Sequence, residues 1–157
     1  MPPGTIIAFG GSVTPTGWLV CDGSTVSRVT YANLFNSLVT SWGSGDGVTT
    51  FHLPDLRGRF LRGVDGTANN DPDKATRTAC NVGGNVGNNV GSIQADVYGS
   101  HSHSGNIMMG GNSVDMNGLN FTTSNMNMPG PNNPGTMPSG GNETRPKNAY
   151  VVYIIKY

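Results

Sequence analysis

This chain has little charge. Nine Lys and Arg stand against nine Asp and Glu in 157 residues, so charged side chains make up 11% and the net charge is zero. A surface for nucleic acid or anionic membrane calls for a basic surplus, which is missing here. Two cysteines, Cys21 and Cys80, are too few for a disulfide framework. They read as two reduced, partly buried thiols, although spacing alone leaves a Cys21–Cys80 pair open. No apolar run approaches the roughly 20 residues of a membrane-spanning helix, so no membrane insertion is expected. The start, Met1-Pro2-Pro3-Gly4, has neither a basic n-region nor an apolar h-region, so no signal peptide is expected in this chain. Met1 is equally compatible with the start of a fragment of something longer. No Cys or His sits in a nucleophile–base arrangement, and no acidic pair has the context of glycosidase carboxylates. An enzyme, such as a polysaccharide depolymerase, is therefore the least favoured class.

What is abundant is glycine, at 24 residues, accompanied by many Asn, Ser and Thr. Such a composition builds irregular, hydrogen-bonded loops rather than a charged surface. A monomer this poor in charge would have limited solubility, so large subunit contacts are expected.

The apolar runs lie in the first third and at the end. Thr5–Phe9 reads as a short buried strand stopped by Gly10-Gly11, and Trp18–Cys21 as a second, ended by Asp22-Gly23. Leu34, Phe35 and Leu38 share one helical face between Thr30, the expected N-cap, and Gly43, the expected stop. Ser44–Gly47 is a tight turn, followed by a strand at Thr49–Leu53 that holds His52 as a satisfied, partly buried histidine. In Arg57-Gly58-Arg59-Phe60-Leu61-Arg62 the arginines read as structural, bonding loop carbonyls and Asp55 or Asp65. The last residues, Ala149–Tyr157, are apolar on both faces and predict a sheet strand covered on both sides, paired with Thr5–Phe9.

Between these ends the patterning fails. Val82-Gly83-Gly84-Asn85, Val86-Gly87-Asn88-Asn89 and Val90-Gly91-Ser92 form a short repeat with glycines at every fourth position. No Gly-Lys-Ser/Thr follows, so it is not a phosphate-binding loop. It predicts an irregular segment in close contact with other backbone. Asp65, Asn69, Asn70, Asp71 and Asp73 lack the spacing and closing Glu of a calcium loop and read as Asx turns. From Ile107 to Met137 come six of the seven methionines, set among Gly, Asn, Ser and Pro. This is a long loop or projection, either packed between chains or serving as an adaptable recognition surface.

Two of the three histidines stand one residue apart, His101-Ser102-His103, between small residues. In an extended segment both imidazoles face the same side. One pair cannot fill a metal's coordination sphere, but three copies around an axis offer six nitrogens, which points to a homotrimer with an axial ion.

Taken in order, these stretches resemble the phage tail collar domain family, found at the tips of short tail fibres and in related fibre-like proteins. The matching residues are Pro3–Phe9, Gly17–Gly23, Tyr31–Phe35, Thr50–Phe60, Val90–Gln94, the His101/His103 pair and Glu143–Asn148. Residues 106–142 carry no comparable match. The resemblance implies an α+β fold: a small mostly-β core with one short helix and a long irregular Gly/Asn/Met-rich insertion, assembled as an intertwined homotrimer. Residues 1–66 with 143–157 would form the core, 67–105 a Gly/Asn-rich segment ending in the metal site, and 106–142 a distal recognition insertion. It further implies attachment of a virion tail fibre or extracellular fibre to a bacterial surface polysaccharide or outer-membrane protein. The alternative is a purely structural module that trimerises and caps a fibre. His101 and His103 would hold a structural metal on the threefold axis. Six imidazoles favour an octahedral ion, iron(II) first and zinc second. Asn106, Met108, Met109, Asn120, Phe121, Met126 and Met128 are the expected receptor contacts, with amides for sugar hydroxyls and apolar side chains for a ring or protein patch.

Overall fold

The computed structural model describes residues 1–97 and 146–157. Met1–Ala95 and Pro146–Tyr157 form one compact unit. Its first sheet has three strands: β1 (Ile6–Phe9), β2 (Trp18–Val20) and the C-terminal strand Val152–Lys156, which lies between them and pairs antiparallel with both. The register sets Ile6 and Leu19 on either side of Ile155, and Ile7 and Val20 on either side of Ile154. Ile154 and Ile155 point to opposite faces and are 1% and 0% exposed, so the central strand is covered on both sides as its unbroken apolar run requires.

A second, two-stranded sheet joins β3 (Thr25–Ser27) to β4 (Thr50–His52), with Val26 opposite Phe51. Between them lies the helix α1, Ala32–Leu38, whose Leu34 and Leu38 are buried one turn apart. These two leucines meet Phe51, Leu53, Leu56, Trp42, Cys21 and Ile155 in the core, with Ile6, Leu19, Val26, Phe35 and Tyr153 packed at its margin. Phe35 and Phe51 meet at a tilt, with ring centroids 5.2 Å apart.

The helix is shorter than its apolar spacing predicts. Thr30 is not its N-cap; Tyr31 is, without a side-chain capping bond. The reason lies upstream. The Ser27 hydroxyl accepts hydrogen bonds from Val29 N–H and Thr30 N–H, and the Ser27 carbonyl accepts from Tyr31 N–H, so the chain is turned before Thr30 can cap. The helix also ends before Gly43. Val39 enters the left-handed region at φ 51° while its N–H still donates to Phe35. Gly43 is used differently: a Cβ there would lie 2.7 Å from Asn81 and 2.8 Å from His52.

The Gly/Asn-rich stretch contains more order than its sequence suggests. A single 3-10 turn, Lys74–Thr76, leads into β5 (Thr78–Ala79), which pairs antiparallel with β6 (Ser92–Ile93); the last strand, Val152–Lys156, is β7. The intervening repeat docks on the segment after α1. Asn81 Nδ2 donates to Trp42 O, Asn85 N–H to Ser41 O and Ser44 N–H to Val82 O, each at 2.9–3.0 Å. The expected close contact with other backbone is present: a Cβ on Gly84 would lie 3.0–3.2 Å from backbone atoms of Asn81, Gly43 and Trp42.

Among the described residues, Trp42 Nε1 is buried without a hydrogen-bond partner. A buried orphan donor costs roughly 1–3 kcal/mol. Trp42→Phe removes that donor while shrinking the ring, so the two effects oppose. We expect urea unfolding to show a net loss below about 2 kcal/mol, small for a buried aromatic truncation. A loss as large as that of a full Trp→Ala change would show that the indole N–H is satisfied.

Candidate functional site

His101, His103, Asn106, Met108, Met109, Asn120, Phe121, Met126 and Met128 lie outside the described residues. In sequence they fall between β6 and β7.

Within the core, the polar residues singled out by sequence are bound to their own fold. His52 Nδ1 lies 3.0 Å from Gly23 O and 3.4 Å from Thr25 Oγ1, a satisfied, half-buried imidazole. Arg57 forms a two-pronged pair with Asp55, at 2.8 and 2.7 Å, as its proximity in sequence suggests. That carboxyl is held below the ordinary carboxylate range, first by the Arg57 hydrogen bond. Asp55 also bridges through its backbone to Asp22, tying the end of β2 to the segment after β4. Arg62 reaches Asp71 at 3.6 Å rather than Asp65. Among the described residues, no group of three or more His, Cys, Asp or Glu could hold a metal.

The expected Asx turns are present and more connected than spacing reveals. The Asp65 carboxylate accepts hydrogen bonds from the N–H groups of Asn69, Asn70 and Asp71 and from Lys74 Nζ, at 2.7–3.0 Å. Lys74 also donates to Asn69 Oδ1 at 2.8 Å. Asp71, buried, accepts from Asp73 N–H and faces Arg77 at 3.5 Å. Arg77 in turn clamps the β5–β6 pair, donating to Ser92 Oγ and to Gln94 Oε1. Cations of the chain itself thus lie against the Asp65 and Asp71 carboxylates.

These carboxylates make stability pH-dependent. Lys74, and then the three backbone donors, hold Asp65 down to about 2 against the opposing effect of burial. Asp46 is held lower still, first by the Thr49 hydroxyl and then by the N–H groups of Val48, Thr50 and Thr49. A carboxyl whose pKa is depressed by folding contributes stability above its unfolded pKa of about 3.9 and loses it as pH falls through the folded value. Unfolding midpoints should therefore drop between about pH 4 and pH 2. Asp65→Asn should lower stability at neutral pH and flatten that decline. An unchanged acid limb in this variant would contradict the assignment.

Cys21 is buried and Cys80 half-buried; both thiols are free and pack on the same core. Burial, reinforced by Asp22, pushes the Cys21 thiol up to about 12, which suppresses the reactive thiolate.

Two surface features escaped the sequence reading. The first is in the repeat: the Asn85 and Asn89 amides donate to the nearby carbonyls of Val90 and Val86, while Val82, Val86 and Val90 remain 90%, 56% and 57% exposed. The period of four was visible, but not which member faces out. The second is a cleft of about 250 Å³ beside β2, lined by Thr14, Trp18, Leu19, Val20, Asp22, Ser24 and Leu53. Trp18 reads in sequence only as a strand residue, and nothing in the spacing marks its neighbours as a group.

Comparison with known proteins bears directly on the stretch that carries β1 to β4. The phage tail collar domain model matches residues 4–61. Protein RhiB of Rhizobium leguminosarum bv. viciae is 36% identical over 148 residues, covering 92% of this chain and 66% of RhiB. The uncharacterized protein StfE of Escherichia coli strain K12 is 35% identical over 65 residues, covering 41% of this chain and 31% of StfE. The chain thus spans just under two thirds of RhiB and about a third of StfE. The matched stretch begins at the glycine turn before β1 and ends at the exposed Phe60-Leu61 pair, so it takes in both edge strands of the first sheet, the helix and the Asp55–Arg57 tie. Residues 4–61 of this chain thus carry a match to the phage tail collar domain, and the rest of the chain lies outside that match.

Proposed function

We propose that this chain is a trimeric fibre-tip module that attaches a phage tail fibre, or a similar extracellular fibre, to a bacterial cell surface. The collar match over residues 4–61 is the observation that carries this reading. Exposed apolar side chains support the assembly: Phe60, Leu61 and Val64 lie close together in sequence, and Val82, Val86 and Val90 recur in the repeat. In a chain with only 11% charged residues, such surfaces favour association with copies of itself. Catalysis has no part in this reading.

In the trimer, His101 and His103 of each chain would meet on the axis and hold one structural ion, iron(II) in the first instance and zinc otherwise. The segment 106–142 would present Asn106, Met108, Met109, Asn120, Phe121, Met126 and Met128 to a surface polysaccharide or outer-membrane protein. Three weak sites on one tip raise apparent affinity through effective concentration.

Replacing 106–142 by a short Gly/Ser linker tests the attachment role. A folded trimer that no longer binds host cells is the expected result. A folded trimer that binds as well as the parent would move recognition elsewhere, and loss of trimerisation would make the segment structural and favour the capping role. The metal has its own test. Protein purified without a polyhistidine tag should carry about one ion per three chains, and the double variant His101→Ala/His103→Ala should carry none and melt at lower temperature. Metal-free parent protein would remove the axial ion from the account.

A further inference from the structure

We propose that the cleft beside β2 is a carbohydrate subsite that takes a single pyranose ring, with Trp18 as its apolar wall and Asp22 and Ser24 as hydrogen-bond partners. The cleft is lined by residues of the collar-matched stretch, none of them among those assigned above to receptor contact. It rests on the attachment reading only for its biological setting.

Its chemistry comes from a strand edge that pairs with no other strand among the described residues. β2 is an outer strand of the first sheet. Cys21 N–H donates to Tyr153 O at 2.9 Å, and Tyr157 N–H donates to Gly17 O at 3.2 Å. Odd-numbered main-chain groups of this strand therefore face β7, and those of Trp18 and Val20 face the open edge. Trp18 N–H is taken by Pro15 O at 3.2 Å, which leaves the Trp18 carbonyl and both main-chain groups of Val20 directed outward. Asp22 uses Oδ1 to accept from Ser24 N–H at 2.9 Å, and among the described residues its second oxygen has no hydrogen-bond donor, leaving it to a ligand. The hydroxyls of Thr14 and Ser24 complete the lining, with Leu19 and Leu53 at its floor.

This set selects among ligand classes. The lining holds one carboxylate and no Lys, Arg or His, so it repels phosphate and other anions. The cleft is shallow and open at about 250 Å³, room enough for one ring against the indole. A pyranose ring has an apolar C–H face and a rim of hydroxyls that both donate and accept. An indole offers the matching apolar surface, a carboxylate and carbonyls accept from hydroxyls, and a backbone N–H donates. Neutral hexoses and N-acetylhexosamines fit this description.

The test uses the full chain and the methyl glycosides of glucose, galactose and N-acetylglucosamine. Trp18 and Trp42 are the two tryptophans, so two indole N–H signals appear in a nitrogen-15 NMR spectrum. At least one glycoside should shift the Trp18 signal with half-saturation on the order of 1 mM, leaving buried Trp42 unmoved. Asp22→Asn retains the acceptor for Ser24 N–H and should weaken binding about tenfold or more. Ser24→Tyr, at an exposed position, should fill the cleft and abolish the shift without unfolding the protein. No shift with any of the three glycosides, or equal shifts in Ser24→Tyr, overturns the proposal. Cell binding by the full chain, measured in parallel, reports on the attachment reading independently.

Discussion

Phe51→Ala should cost about 3–5 kcal/mol in urea unfolding, enough to leave a marginally stable chain largely unfolded. Phe51 is fully buried at the centre of β4. It stands opposite Val26, touches Phe35 on the helix, and belongs to the same core as Ile155 of β7. Removing its ring opens a cavity where the second sheet, the helix and the first sheet converge, and short strands of three residues have little else to hold them together. Phe51→Leu keeps most of the volume and should cost much less, under about 1.5 kcal/mol. If both variants lose equally little, the three elements do not share one core.

Gly91→Ala is the second large effect, and it acts through backbone rather than core volume. Gly91 adopts φ +94°, and an added Cβ would lie 2.7 Å from the carbonyl carbon of Ser41 and closer still to its oxygen. Two penalties add here: about 1–2 kcal/mol for an L residue in the left-handed region, and about 1–3 kcal/mol for forcing packed groups apart. The sum, roughly 2–5 kcal/mol, should appear in thermal and urea unfolding. Gly47 provides the control. It has φ +84° but nothing within 4 Å of its would-be Cβ, so Gly47→Ala should show the conformational penalty alone. Equal losses at the two positions would mean that Ser41 does not press on Gly91.

The contrast between these positions explains what could be read from the sequence. Ile6–Phe9 and Trp18–Val20 are apolar runs ended by Gly10 and Asp22, Thr50–His52 lies in a β-prone stretch closed by Pro54, and Val152–Lys156 is part of the apolar C-terminal run, so local pattern and final structure agree. The pairing of the first and last of these was legible because a strand apolar on both faces must lie inside a sheet. β3 was not legible. Thr25–Ser27 is short and half polar, and it becomes a strand only because β4 lies beside it. β5 and β6 hold two residues each and depend on Arg77 reaching across to Ser92 and Gln94, a contact that spans fifteen or more positions. No periodicity announces it.

The helix boundaries failed for a related reason. Thr30 has the right chemistry for a cap, but Ser27 turns the chain first, and the choice between two hydroxyls three residues apart depends on where β3 ends. For the candidate site, the chemistry of single residues was legible where the partner is near in sequence, as with Arg57 and Asp55. It was not where the partner is assembled by folding. Lys74 rather than an arginine neutralises Asp65, and Trp18 meets Asp22, Ser24 and Thr14 only once β2 is an edge strand.

The central claim is that copies of this chain assemble as a fibre tip, and its mass in solution tests that claim most directly. Sedimentation equilibrium on untagged protein across a wide concentration range should give three times the chain mass of 16.4 kDa, with no dissociation on dilution. A single species at the chain mass, independent of concentration, would contradict the account.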